Sequence, residues 1–302
     1  MPNAREIRNR ISSIRETRKI TNAMYLISST KMRKAKREWD QTRPYFEALR
    51  AEVKRIFRTS QNVESRYFFP PEGEPPIRGT YGCLVITADK GLAGAYNQNV
   101  IREAQRLMEG HPDMKLFVVG EYGRQFFMRR NVPIERSFLY TAQNPTMQRA
   151  REISAELLER FDSGELKKIF VVYTDIRNSL TETVNSTRLL PFHRSTFAAR
   201  ADEKKREETT FEFLPSLTQV LDSIVPSYVS GFIYSALIDS FCSEQNARMS
   251  AMYTANQNAE KMLDQLALEY NRIRQAAITQ EITEVAAGAR AQRERKARGN
   301  ES

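Results

Sequence analysis

Two stretches of this chain lack helix breakers over lengths that few globular folds use. The first glycine is Gly73, and Pro44 is the only proline between Pro2 and Pro70. Near the other end, Phe232 to Ala287 runs 56 residues without glycine or proline. Helices in globular proteins average about 11–12 residues, so both stretches point to exceptionally long ones. A heptad count tests this. Alternating steps of four and three from Ile7 give Ile7, Ile11, Ile14, Arg18, Thr21, Tyr25, Ser28, Met32, Ala35, Trp39, Thr42, Phe46, Leu49, Val53 and Ile56. Eleven of the fifteen are apolar, and the frame holds across Pro44, which predicts a bend there rather than a stop. From Met249 the same stepping gives Met249, Met252, Asn256, Ala259, Leu263, Leu266, Tyr270, Ile273, Ala277 and Gln280, eight of ten apolar. A sustained 3.5-residue repeat implies a left-handed supercoil. Neither helix can bury its stripe alone. The simplest solution is mutual antiparallel pairing, with the intervening chain joining the two.

That intervening third alternates between strand and helix patterns. Tyr81–Thr87, Lys115–Val119, Ile134–Tyr140, Lys168–Thr174 and Glu182–Leu190 read as strands. Asn97–Met108, Tyr122–Arg130 and Thr146–Phe161 read as helices. This order predicts a mainly parallel, Rossmann-like α/β sheet. The expected fold class is therefore α/β: a long antiparallel coiled coil of N- and C-terminal helices plus a Rossmann-like α/β globular domain. The boundaries are 1–58 and 212–288 for the helices, 76–194 for the globular domain, 195–211 for a charged loop, and 289–302 for a basic, frayed tail.

Charge narrows the function classes. Of 302 residues, 47 are Lys or Arg and 37 are Asp or Glu, for a net charge of +10. Residues 1–58 hold 16 of those cations against six acids, so this segment carries the whole excess. Such a segment suits an acidic partner: nucleic acid, an anionic membrane or an acidic protein surface. Two cysteines, Cys83 and Cys242, and two histidines, His111 and His193, exclude a disulfide framework and a Cys/His zinc site. Both thiols read as buried. No apolar run approaches the roughly 20 residues that span a bilayer, and the N-terminus lacks the apolar core of a signal peptide.

The local motifs are modest. Asp89-Lys90-Gly91-Leu92-Ala93-Gly94, ahead of Asn97, links a strand to a helix and has glycines that could admit a phosphate. Its spacing fits neither phosphate-binding fingerprint, so a tight turn is the better reading. Neither histidine lies in a nucleophile motif. Asp202, Glu203, Glu207 and Glu208 belong to a solvated charge run within Arg194–Thr210. The run Lys31–Arg37 could be a nucleic-acid patch, a solvated helix face or a docking surface for an acidic protein. Off-seam apolar residues say more. Ile20, Met24, Leu26 and Ile27 lie outside the first stripe, and Ile278, Ile282 and Val285 outside the second. Helices apolar on several faces need an enclosing body, and another protein is the expected one.

The ends of the chain resemble a known family. Ile11–Met24 (ISSIRETRKITNAM) with Lys31–Ala35 (KMRKA) resembles the N-terminal helix of the F-type ATP synthase gamma subunits. Glu244–Met252 (EQNARMSAM) and Leu268–Glu284 (LEYNRIRQAAITQEITE) are similar to that family's C-terminal signature, and the Asp89–Gly94 turn to its first α/β loop. The resemblance implies a central rotor shaft whose paired helices enter a hexamer of alpha and beta subunits. It implies a foot resting on the membrane c-ring with the epsilon subunit, near Arg194–Thr210. The chain would be a non-catalytic member of a hetero-oligomer. It would have no cofactor, metal or direct small-molecule substrate and no nucleic acid. The complex would be peripheral, on the cytoplasmic face of the plasma membrane. By the same resemblance Met24 faces the beta subunits, and Arg274, Gln275, Thr279 and Glu284 meet beta-subunit loops or the partner helix. Arg248 is expected to be structural. Ile20, Ile27, Lys31, Arg33, Lys34, Ile278, Ile282 and Val285 complete the expected partner interface. Two departures stand out: Arg290–Ser302 continues past the family's usual end near Gly288-Ala289, and the cysteine pair of thiol-regulated chloroplast members is missing. The competing functions are a basic coiled-coil nucleic-acid-binding protein and a Rossmann-type enzyme.

Overall fold

The computed structural model describes residues 4–59, 65–68, 79–139, 141–178, 181–192, 214 and 216–299. Helix α1 spans Ala4–Thr59 and carries Pro44 inside it, so the proline does not end the helix. The elements that follow are β1 (Tyr81–Ile86), α2 (Tyr96–Glu109), β2 (Met114–Val119), α3 (Glu121–Arg129), β3 (Ile134–Phe138), α4 (Met147–Asp162), β4 (Lys168–Asn178) and β5 (Thr181–Leu190). Helix α5 spans Leu217–Gly299, 83 residues. It continues past Gly288, so Arg290–Gly299 extends the helix where a frayed tail was expected. The chain divides into two units, residues 1–27 with 250–302, and residues 28–249.

In the larger unit the sheet order is β3-β2-β1-β4-β5, parallel except for β5, which runs antiparallel to β4. Alternation in β1 explains the two layers. Cys83 and Val85 face a cluster with Val100 and Ile101 of α2 and Phe127 of α3. Leu84 and Ile86 face the opposite cluster, with Ile153 and Leu157 of α4 and Val229, Ile233 and Leu237 of α5. A strand covered on both faces is apolar throughout, as β1 is.

The same logic explains why α5 is buried or half-buried all round between Val229 and Gln245. One side meets the sheet and α4: the Ser240 hydroxyl accepts from the Thr174 amide of β4 at 3.3 Å, and the Ser230 hydroxyl lies 2.6 Å from that of Ser154 in α4. The other side meets α1 through Trp39, Phe46 and Tyr234, whose rings lie 5.9–6.2 Å apart. Enclosure on several sides accounts for an apolar stretch of this helix. An 18-residue window of α5 is long and apolar enough, by length and composition, to cross a membrane, yet 56% of it is buried within the protein. Its buried apolar residues serve the core.

Gly231 permits a close approach of α1 to α5 at Phe46. A Cβ there would stand 2.1 Å from Cδ1 of Phe46. Gly231→Ala should destabilise the protein by about 1–3 kcal/mol through overpacking, and Phe46→Leu should recover part of the loss; thermal unfolding of the single and double variants checks this. Asp239 supplies a pH dependence. Burial, reinforced by repulsion from Asp175 and opposed by a hydrogen bond from Ser235, pushes its carboxyl up from 3.8 to about 7. An acid raised on folding contributes stability at low pH and loses it as pH climbs from its ordinary value towards the raised one. Asp239→Asn should remove that decline between about pH 4 and 7, read as a variant that gains unfolding temperature over the parent as pH rises.

Candidate interaction surface of the paired helices

In the smaller unit, α1 and α5 run antiparallel. Arg18 pairs with Glu260 at 3.5 Å, and Thr21 donates to Oδ1 of Asn256. Moving outward in opposite directions from that pair faces Ile14 with Leu263, Ile11 with Leu266 and Ile7 with Tyr270. All six are buried or half-buried. The heptad frames therefore meet one another in register. On α1 as a whole, fourteen of the fifteen counted positions are buried or half-buried, Arg18 being the exposed one.

The register also sets where the pairing ends. Ile273 lies opposite the start of α1 at Ala4, so α5 beyond it has outrun its partner helix. Every residue from Arg274 to Arg293 is exposed. The heptad positions Ala277 and Gln280 are exposed with them, so the seam closes two positions earlier than the stepping predicts. Ile278, Ile282 and Val285 are 47%, 64% and 74% exposed. Their i, i+4, i+7 spacing sets them in one apolar row. Around that row the Thr279 hydroxyl donates to the Gln275 carbonyl at 2.9 Å, and Gln280 donates to the Glu284 carboxylate at 3.0 Å. Arg274 and Gln275 lie in the same exposed stretch.

On α1, Ile20 and Ile27, one heptad apart on the same face, are 62% and 54% exposed, with Leu26 beside them. Met24 is half-buried, because it sits next to Tyr25 on the flank of the seam rather than opposite it. In the larger unit Lys31, Arg33 and Lys34 are exposed on α1, with Lys34 3.8 Å from Glu38. Exposed pairs of this kind contribute little to stability, which leaves the cations available as a surface.

The glycine turn is built as a joint between elements. Asn97 Oδ1 accepts from the Ala88 amide at 2.9 Å, and Asp89 Oδ1 accepts from the Glu121 amide at 2.9 Å. The Arg248 guanidinium donates to the Gly91 carbonyl at 3.1 Å and pairs with Glu244 at 2.6 Å. The turn's polar groups thus bind α2, α3 and α5, as the tight-turn reading expects. Leu92, at φ 62°, projects from it 65% exposed. The Glu244–Arg248 pair is buried, and sequence reasoning missed it as a clamp; its i, i+4 spacing was the available signal.

The remaining candidates are structural. Burial pushes the Cys83 and Cys242 thiols up to about 12, which keeps both protonated and unreactive. His111 packs its ring 5.0 Å from Tyr81 and 6.0 Å from Phe170. His193, the Arg194–Thr210 loop and its carboxylates lie outside the described residues.

Comparisons with known proteins agree with this geometry. A family model described as ATP synthase matches residues 3–292. The ATP synthase gamma chain of Caldanaerobacter subterraneus subsp. tengcongensis is 42% identical over 292 residues, covering 94% of this chain and 98% of its own. That of Ruminiclostridium cellulolyticum is 39% identical, covering 96% and 98%. Among solved structures, a chain of the Euglena gracilis mitochondrial ATP synthase, in its OSCP/F1/c-ring assembly, superposes with a TM-score of 0.65 at 15% identity, covering 95% of this chain and 94% of that one. A chain of the Tetrahymena thermophila mitochondrial ATP synthase central stalk and c-ring gives 0.59 at 23%, covering 78% and 99%. These two speak for the fold, and the bacterial relatives for the family: this chain belongs to the ATP synthase gamma chains.

Proposed function

We propose that this chain is the central rotor shaft of a rotary ATP synthase, coupling ion flow through a membrane c-ring to ATP synthesis or hydrolysis in a hexamer of alpha and beta subunits. The observation that carries this reading is the apolar row Ile278, Ile282 and Val285, on a helix that has outrun its partner. Burying each such side chain is worth about 1.5–3 kcal/mol, so a row left in water calls for an enclosing sleeve. The alpha/beta hexamer supplies it, and the nucleotide chemistry belongs to that hexamer rather than to this subunit.

The two kinds of contact suit an axle. Apolar burial is non-directional, so the row Ile278–Val285, with Ile20, Met24 and Ile27, can stay covered at every angle of rotation. Charge-assisted hydrogen bonds are directional. Arg274, Gln275, Thr279 and Glu284 therefore make angle-dependent contacts with beta-subunit loops, and Lys31, Arg33 and Lys34 attract acidic loops. In this reading segments 1–58 and 212–288 form the shaft, 76–194 the globular body and 195–211 the foot on the c-ring beside epsilon, with 289–302 a basic extension. The assembled complex lies on the cytoplasmic face of the plasma membrane as a peripheral body.

Ile278→Asp with Ile282→Asp tests the sleeve. An unpaired buried charge costs several kcal/mol, and each ~1.4 kcal/mol is tenfold in an equilibrium or rate. ATP-driven ion pumping in inverted membrane vesicles should fall at least about tenfold per ATP hydrolysed, with the helix content of the subunit unchanged. Pumping at the parent level would overturn the contact. Gamma chain recovered from native membranes without ATPase subunits would overturn the shaft itself.

A further inference from the structure

Within the smaller unit the apolar seam is interrupted at two adjacent layers, of which that of Thr21 and Asn256 is polar on both helices. On α1, Arg18 and Thr21 stand between Ile14 and Tyr25; on α5, Asn256 stands between Met252 and Ala259. Coiled-coil seams use a buried polar pair of this sort at a cost in cohesion. Here the pair is only half-buried. An open groove lined by Arg18, Asn22, Tyr25, Tyr253, Asn256 and Gln257 runs beside it. Arg18 and Glu260, the ion pair across the layer, have side chains 47% and 68% exposed, so water screens their attraction.

The Thr21 hydroxyl has more acceptors than protons. It reaches Oδ1 of Asn256 across the pair, and it lies 3.1 Å from the carbonyl oxygens of both Thr17 and Arg18 in its own helix. A hydroxyl carries one proton. If the helices part, that proton turns back to its own backbone, and the Asn256 amide passes to water in the groove. Opening this layer therefore sacrifices no hydrogen bond, whereas opening the apolar layers on either side exposes Ile14, Leu263 or Met252 to water.

We propose that Thr21 and Asn256 form a latch: the point at which the paired helices open and reclose most readily. This follows from the pair's own geometry and does not depend on the rotor reading. It gives a compliant joint between two stiff apolar sections.

Hydrogen exchange on the full-length chain tests it. Replacing both partners by apolar residues, Thr21→Val with Asn256→Leu, joins the two apolar sections. Amides of 18–25 and 253–260 should then exchange at least about threefold more slowly, the scale of one modest interaction. Thr21→Val alone leaves Asn256 facing a methyl group and should speed exchange in the same segments. Unchanged or faster exchange in the double variant would overturn the latch. So would slower exchange in Thr21→Val alone, since the hydroxyl would then contribute nothing across the layer. Far-ultraviolet circular dichroism of both variants confirms that the helices are retained.

Discussion

The structure depends on one requirement: an apolar stripe along a long helix must be covered. A lone helix with a stripe such as Ile7–Ile11–Ile14 on one side has no stable place in water, because most helical stability in proteins comes from packing that face. Two stripes of matching period, at opposite ends of one chain, answer each other when the helices run antiparallel. The Thr21–Asn256 pair shows the alignment directly, and the apolar positions on both helices fall opposite one another from it.

The same requirement, met by different neighbours, explains how one helix can carry three compositions. From Val229 to Gln245, α5 is enclosed by the sheet, by α4 and by α1, and its serines bond to those neighbours: Ser230 to Ser154, and Ser240 to the Thr174 amide. From Ser250 to Ile273 only α1 covers it, and burial contracts to a single stripe. Beyond Ile273 no part of this chain among the described residues covers it, yet Ile278, Ile282 and Val285 persist. Composition along α5 therefore maps what surrounds it, and the last segment maps a body that the chain itself does not provide.

Much of this was legible in the sequence because its signals were periodic. The heptad steps located the buried positions of α1 at all but Arg18, and the alternating middle third yielded every strand and helix of the sheet domain within a few residues of its observed limits. The misses are cases where burial depends on a neighbour remote in sequence. Ala277 and Gln280 continue the stepping but not the burial, because α1 begins too late to reach them. Met24 looked like an outward residue by heptad position but is half-buried on the flank of the seam. The Arg248–Glu244 clamp needs the Lys90–Gly91 carbonyls, more than 150 residues away, before its role can be seen.

The α/β body shows how a fold suited to ligand binding can be given over to mechanics. In open parallel sheets the ends of the strands leave a crevice where connections diverge, here between β1 and β4. In a nucleotide-binding member of this architecture the loop after β1 would offer its backbone amides to phosphate. In this chain Asn97 takes the Ala88 amide, Asp89 takes that of Glu121, and the Gly91 carbonyl accepts from Arg248 of α5. Each bond ties the turn to a helix. Because the Arg248–Glu244 pair is buried, removing either partner would strand a charge, which is far costlier than losing a surface ion pair. The buried pair therefore fastens α5 to the turn after β1.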